Sequence, residues 1–344
     1  MKNFTVYTFL FALILAVNTI TCPAYAEGRV LIYSDHEPLG NMRTTFLHEI
    51  LFPNIAKESG GRLTIEEHWN SELSTGYNAL NKTKTGEIDL AVIVPEYDSV
   101  NLPLHQLFKS FPIGPSGNEQ ADFFRSIYRD MPDLKAELEK QNLVPVYVAM
   151  GYPVAFYSTH PIQTITNLEG RKWRSASFWH KDQLKNVGAT PVTIPWGEQV
   201  YSALQDGQLD GLMVNIDSGF DINAQKIAPY ILTSKKLWLG HIYIIAFNKN
   251  VWDSLSKKEK KSIRKAAAES YKVMGSFADS AFDEQIEALK NDSADVRFLT
   301  DKEILDWKQA TRFDEIQARW ISEKDSQDRS IFEKILKKIS SKLH

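Results

Sequence analysis

Residues 167–215 read NLEGRKWRSASFWHKDQLKNVGATPVTIPWGEQVYSALQDGQLDGLMVN. Three short runs of β-forming residues stand out: Lys172–Ala176, Pro191–Ile194 and Leu209–Asn215. Two stretches of helical spacing separate them, and Gly170, Gly188, Gly207 and Gly211 punctuate the joints. Strands alternating with helices at this spacing predict parallel βα units and an α/β fold.

The same alternation extends upstream. Strands are predicted over Val30–Ser34, Arg62–Glu67, Ile88–Val94 and Leu143–Met150. Helices are predicted over Arg43–Ser59, Tyr77–Thr85 and Glu119–Gln141. Gly151-Tyr152-Pro153 then separates two strands, Leu143–Met150 and Val154–Ser158, which suits a crossover between domains. Downstream, His241–Phe247 (HIYIIAF) is strand-like and is expected to return to the first domain. Beyond it, Ser256 and Glu259 fit a capping box. Apolar residues follow at Ile263, Ala267, Tyr271, Met274, Ala278, Phe282, Ile286 and Leu289. Such a helix spans about 50 Å at 1.5 Å per residue, long enough to run across two domains; a coiled-coil oligomerisation helix is the alternative. The tail, Ile331–Leu343, reads as a basic amphipathic helix.

Export is expected from the N-terminus. Lys2 precedes the apolar run Phe9–Val17, and Ala24-Tyr25-Ala26 supplies a small-x-small cleavage pattern, so residues 1–26 read as a signal peptide. The run is shorter than the ~20 apolar residues a bilayer requires. The only cysteine, Cys22, lies within it. The chain beyond Ala26 therefore has no thiol nucleophile, thiolate metal site or disulfide. Its length exceeds what one hydrophobic core usually organises. The net charge is −3, and no basic stripe with interleaved aromatics appears, so no nucleic-acid partner is expected. There is no HExxH, GxSxG, P-loop or GxGxxG. The eight histidines show no metal-ligand spacing. No metal, no cofactor and no enzymatic activity are expected.

With these residues set out, the chain resembles the DctP-type solute-binding proteins of TRAP (tripartite ATP-independent periplasmic) transporters. Leu168-Glu169-Gly170 with Lys172 and Arg174 carries the likeness, as do Gly188-Ala189, Pro191, Glu198, Val200-Tyr201, Ala203-Leu204-Gln205, Gly207 and Asp210-Gly211. Ser59-Gly60-Gly61-Arg62, Gly86 with Ile88-Asp89, and Asn248, Trp252 and Leu255 extend it over nearly the whole chain. The resemblance implies a two-lobed periplasmic-binding-protein clamshell with a long helix bracing both lobes. The lobes are expected at 27–151 plus 241–285 and at 152–240 plus 286–344. It also implies a periplasmic monomer that passes a small-molecule carboxylate ligand to the membrane subunits of the transporter.

In such proteins the arginine of a GxKxR strand pairs with the ligand carboxylate, and here that residue is Arg174. A guanidinium offers two parallel donors and stays charged. Trp196 falls where an aromatic often flanks the ligand. Asn215 matches a polar contact position, although the spacing after Asp210-Gly211 leaves Val214 as a rival. His241 opens the returning strand, and Ser177 follows Arg174 on the same loop. In the first lobe His36, Asn70, Glu72 and Glu96 sit at the ends of predicted strands. No second arginine lies near Val154, where sialic-acid binders carry one. Trp69, Trp173, Trp179, Trp196 and Trp238 suggest aryl or indolyl acids, with 2-oxo acids and aliphatic dicarboxylates also open. A periplasmic sensing subunit for a receptor kinase and a secreted hydrolase with a carboxylate pair are the alternative functions.

Overall fold

The computed structural model describes residues 28–238 and 240–343. The predicted signal segment, residues 1–26 with Cys22, lies outside the described residues. Eleven described strands run in chain order: β1 (Arg29–Ser34), β2 (Leu63–His68), β3 (Leu90–Ile93), β4 (Leu143–Met150), β5 (Val154–Ser158), β6 (Lys172–Arg174), β7 (Thr190–Val192), β8 (Gly211–Asn215), β9 (Tyr230–Thr233), β10 (Ile242–Asn248) and β11 (Asp295–Phe298). They form two sheets, β2-β1-β3-β10-β4 and β11-β9-β5-β8-β6-β7. Each sheet is the centre of one lobe.

The first sheet is mixed. β1 pairs in parallel with β2 and β3, and β10 runs antiparallel between β3 and β4. Buried along its whole length, β10 reads as a near-continuous apolar run from Ile242 to Phe247, as central strands do. The β10–β4 register slips between Ile245 and Ala246, opposite Tyr147 and Pro145. Pro145 has no N–H to give the ladder, and a bulge absorbs the loss. In the second sheet β6 lies in parallel between β7 and β8, which places Arg174 at the carboxyl end of a central strand. Open α/β sheets bind ligands at that edge.

Two predicted helices are interrupted, each at a proline. The first runs Met42–Phe46, opens into a wider π-type turn at Leu47–Leu51, and resumes at Phe52–Ser59. Pro53 cannot donate to the carbonyl one turn earlier, and the ladder relaxes around it. Gly60 closes that helix at φ 64°, a left-handed turn suited to glycine. The predicted Glu119–Gln141 helix is two helices, Gly117–Asp130 and Pro132–Lys140. Met131 precedes Pro132 and leaves helical geometry at φ −124°, ψ 80°, as the proline ring requires.

The capping box at Ser256 and Glu259 is formed, and the helix it opens runs Lys257–Asn291. Its first half buries Ile263, Ala267 and Met274 against Phe52–Ser59 and Gly117–Asp130. Asn54 Nδ2 donates to Ser270 Oγ at 3.0 Å across that contact. Its second half reaches β11 and the helix Ile216–Asp221 of the second lobe, where Phe282 meets Phe298 edge-on at 6.4 Å. Gly275 marks the crossing between the halves: a Cβ there would lie 2.2 Å from Asn118 Oδ1 and 2.3 Å from its backbone nitrogen. One continuous helix thus braces both lobes.

The C-terminal segment divides otherwise than expected. β11 joins the second sheet, but the last helix, Ser326–Ser340, packs on the first lobe against Leu104–Ser110. Lys334 pairs with Asp133 at 2.7 Å and Lys338 with Asp130 at 3.0 Å. Its apolar residues Phe332, Ile335 and Ile339 are buried there, so the amphipathic stripe returns the chain end to the first lobe. No helix among the described residues is long and apolar enough to cross a membrane.

Candidate functional site

Between the sheets lies a cavity of about 390 Å³ of atom-free space, partly open to solvent. Its lining includes Glu37, Glu96, Tyr97 and Tyr243 from the first lobe and Arg174, His180, Trp196, Val214 and Asn215 from the second, with His241 at the crossover.

Arg174 is 3% exposed. Its Nε donates to the Ile194 carbonyl at 3.1 Å, and its guanidinium carbon lies 5.1 Å from the centre of the Trp196 ring. Burial pushes the guanidinium below its ordinary pKa, with Tyr97 and Tyr77 acting the other way. An arginine starts so high that it remains charged. The carboxylate contacts within 4.0 Å formed by the described residues include none to Arg174. Trp196 is also fixed from the opposite lobe: its backbone N–H donates to Tyr77 Oη at 3.1 Å. Tyr77 in turn stacks on Tyr97 with ring centres 4.4 Å apart.

The first-lobe wall has its own buried arginine. Arg43, 2% exposed, pairs with Asp35 and Glu37. Its Nη2 donates to Asp35 Oδ1 at 2.9 Å and to Glu37 Oε2 at 2.6 Å. The guanidinium sits 4.3 Å from the centre of the Tyr243 ring. Burial raises the Asp35 pKa, but Arg43 beside it outweighs that and holds the carboxyl below its ordinary value. Glu96 pairs with Lys109 and lies 3.1 Å from His241 Nδ1. His241 stacks on Tyr243 at 4.6 Å. Burial, reinforced by Lys109, pushes its pKa well down, so the ring is neutral near pH 7. His180 is driven down to about 3 by the same two causes.

Five of the nine residues selected from sequence line this cavity: Arg174, Trp196, Asn215, His241 and Glu96. Val214 lines it as well. Asn215 Nδ2 donates to Tyr243 Oη at 3.3 Å, joining the lobes. His36 and Asn70 border a neighbouring hollow that shares Glu37, Tyr97 and Trp196 with the cavity. Two residues are corrected. Ser177 caps the helix Phe178–Asn186, its Oγ accepting the Trp179 N–H at 3.2 Å, so the hydroxyl serves the fold rather than the cavity. Glu72 is exposed and holds His68 Nδ1 at 2.8 Å, outside both hollows. Of the tryptophans, Trp173, Trp179 and Trp238 are core residues, and Trp69 packs against the first-lobe core. Trp196 alone among the five lines the cavity.

Sequence reading missed Glu37, Tyr97, His180 and Tyr243. Glu37 and Tyr97 follow strands β1 and β3 by a few residues, a position that a parallel sheet always directs to its ligand edge. His180 lies one turn into the helix after Arg174, and Tyr243 points the same way as His241 by strand alternation. Among the described residues no group of acidic, histidine or cysteine side chains is arranged to hold a metal ion.

Comparison with known proteins places this arrangement. The DctP family profile, bacterial extracellular solute-binding protein family 7, matches residues 44–318. A solute-binding protein of Chromohalobacter salexigens is 25% identical over 252 residues, covering 70% of this chain and 69% of that protein. Among solved structures, a marine-metagenome TRAP solute-binding protein specific for aromatic acid ligands, in complex with metahydroxyphenylacetate, superposes with a TM-score of 0.78 at 19% identity, covering 91% of this chain and 98% of that one. The DctP7 receptor of Bordetella pertussis, which binds pyroglutamic acid, gives 0.75 at 18% identity, covering 90% and 100%. These are binding proteins rather than enzymes. The match over most of its length shows that this chain belongs to the DctP family of bacterial extracellular solute-binding proteins.

Proposed function

We propose that this protein captures a small organic carboxylate between its lobes and presents it to the membrane subunits of a TRAP transporter. The observation that carries the reading is the buried, unpaired guanidinium of Arg174 at the cavity wall. Burying a cation without a counter-charge is costly. A bound carboxylate offsets that cost and gains two charge-assisted hydrogen bonds of about 1.5–3 kcal/mol each. Trp196 and Tyr97, both lining the cavity, would flank a flat acid docked there. The pyroglutamic acid and metahydroxyphenylacetate of the solved relatives are both carboxylates.

Capture proceeds by closure. The lobes are joined through Gly151-Tyr152-Pro153 and the return before β10. Closing them brings Tyr77 and Tyr97 over Trp196, so a ligand on Arg174 is covered by first-lobe groups. The closed form is then the one the transporter recognises. In this reading the protein works as a monomer in the periplasm, after removal of residues 1–26. Native mass spectrometry of the purified protein and a thermal-shift screen of organic acids identify the ligand. Calorimetry with that acid then tests Arg174→Ala: binding is expected to be lost with the fold intact, and unchanged affinity would overturn the assignment.

A further inference from the structure

The walls facing Arg174 are rich in acceptors and poor in free positive charge. Arg43 is saturated by Asp35 and Glu37, and Lys109 by Glu96. Two of those carboxylates, Glu37 and Glu96, line the cavity themselves. Glu37 Oε2 takes Arg43 and Asn41, while Oε1 has only the His36 ring, at 3.7 Å. Asp217, next to the lining residue Ser218, is buried. Burial first, and then the charge of Glu37, raise its pKa well above the carboxylate range.

Neutral acceptors add to the carboxylates. His180 is 1% exposed and lines the cavity. The Lys109 backbone favours the protonated ring, but burial and the Lys109 charge outweigh it, so the ring is neutral. Its Nε2 has no hydrogen-bond partner among the described residues and, in the tautomer protonated at Nδ1, is an acceptor. A buried polar atom in this state calls for a donor.

We infer that the ligand is a monocarboxylate that carries an N–H or O–H donor on the side away from its carboxyl group, and that dicarboxylates are excluded. The inference rests on the carboxylate reading above and narrows it. One end of the ligand meets Arg174, the cavity-lining guanidinium with no carboxylate partner among the described residues. The other meets Glu37, Glu96 and His180, which can accept hydrogen bonds, and finds Arg43 and Lys109 already paired, so no free cation balances a second carboxylate. Lactam, hydroxyaryl and indolyl acids satisfy both ends. Succinate and simple 2-oxo acids do not, the first for its charge and the second for want of a donor.

Calorimetry of the full mature protein with matched acids tests this. The panel pairs pyroglutamate with cyclopentanecarboxylate, 3-hydroxyphenylacetate with 3-methoxyphenylacetate, and indole-3-acetate with its N-methyl derivative; succinate and glutarate complete it. The donor-bearing member of at least one pair is expected to bind at least 10-fold tighter than its partner. Both dicarboxylates are expected to bind at least 100-fold more weakly than that acid. His180→Phe is expected to shrink the gap within the pair. A dicarboxylate that matches the best monocarboxylate, or equal affinity within every pair, overturns the inference and leaves the carboxylate reading standing. Binding by none of the acids, or binding that survives Arg174→Met, overturns both.

Discussion

Two arginines stand on opposite sides of this cleft, equally buried and oppositely partnered: Arg174 lines it, and Arg43 lies behind the lining residues Glu37 and Tyr243. Arg43 is 2% exposed and held by two carboxylates; Arg174 is 3% exposed and held by a carbonyl and an indole. The cost of burying Arg43 is offset inside the folded chain, so its role is architectural: it ties β1's outgoing loop to the Tyr243 ring on β10. The cost of burying Arg174 is not offset by any carboxylate among the described residues, and in the proposed reading the ligand offsets it. The degree of burial therefore says little about which cation binds; the presence or absence of an internal counter-charge decides it.

The largest effect separating the two is expected for Arg174→Met. Loss of two charge-assisted hydrogen bonds, about 3–6 kcal/mol in all, weakens carboxylate binding by roughly 10²–10⁴-fold, while stability without ligand stays within about 1 kcal/mol by denaturant titration. Equal losses of binding and stability would erase the distinction. Arg43→Met is expected to do the reverse. It leaves Asp35 and Glu37 buried without their cation, a loss of about 3–5 kcal/mol visible as a lowered unfolding midpoint. A variant as stable as the parent would show that Arg43 is not the strut described.

The histidines between the arginines sharpen the comparison through pH. His180 has a folded-state pKa of about 3, against about 6.5 in an unfolded chain. Below pH 6.5 the unfolded chain takes up a proton that the folded ring refuses. Stability is therefore lost as pH falls from 6.5 toward 3, by at most about 1.4 kcal/mol per pH unit for this group. His241 adds in the same direction. His180→Gln is expected to flatten the decline in melting temperature between pH 6.5 and 4.5; an unaltered slope would mean His180 is already protonated. The smallest effect belongs to Trp196→Ala. The indole over Arg174 is worth about 1 kcal/mol, or some fivefold in affinity, and more for aromatic acids than for aliphatic ones. Equal losses for the two classes would confine Trp196 to supporting the guanidinium.

Much of this was legible in the sequence because it is local. The strand that carries Arg174 follows from Gly170 and the helix after it, while the role expected of Arg174 came from the family resemblance; the long helix follows from Ser256, Glu259 and an apolar residue every three or four positions. Prolines broke the expected helices where a missing N–H or a crowded preceding residue required it. The first-lobe wall was harder to read. Glu37, Arg43, Tyr97 and Tyr243 come from three separated segments, and nothing in any one segment tells that Glu37 will hold Arg43 or that Tyr97 will cover Arg174. Ser177 misled because a serine after a strand is equally suited to a ligand and to the first turn of a helix, and the bare N–H of Trp179 claimed it. The C-terminal helix shows the same limit. Its apolar stripe announces burial without naming the lobe that receives it.

The most direct test is a crystal structure of the mature protein with its co-purified acid. The account predicts one carboxylate with both oxygens within about 3.2 Å of two Arg174 nitrogens, between the lobes, and no ligand atom on Arg43. A ligand bound elsewhere, or an Arg174 guanidinium facing open solvent beside the occupied site, would contradict it.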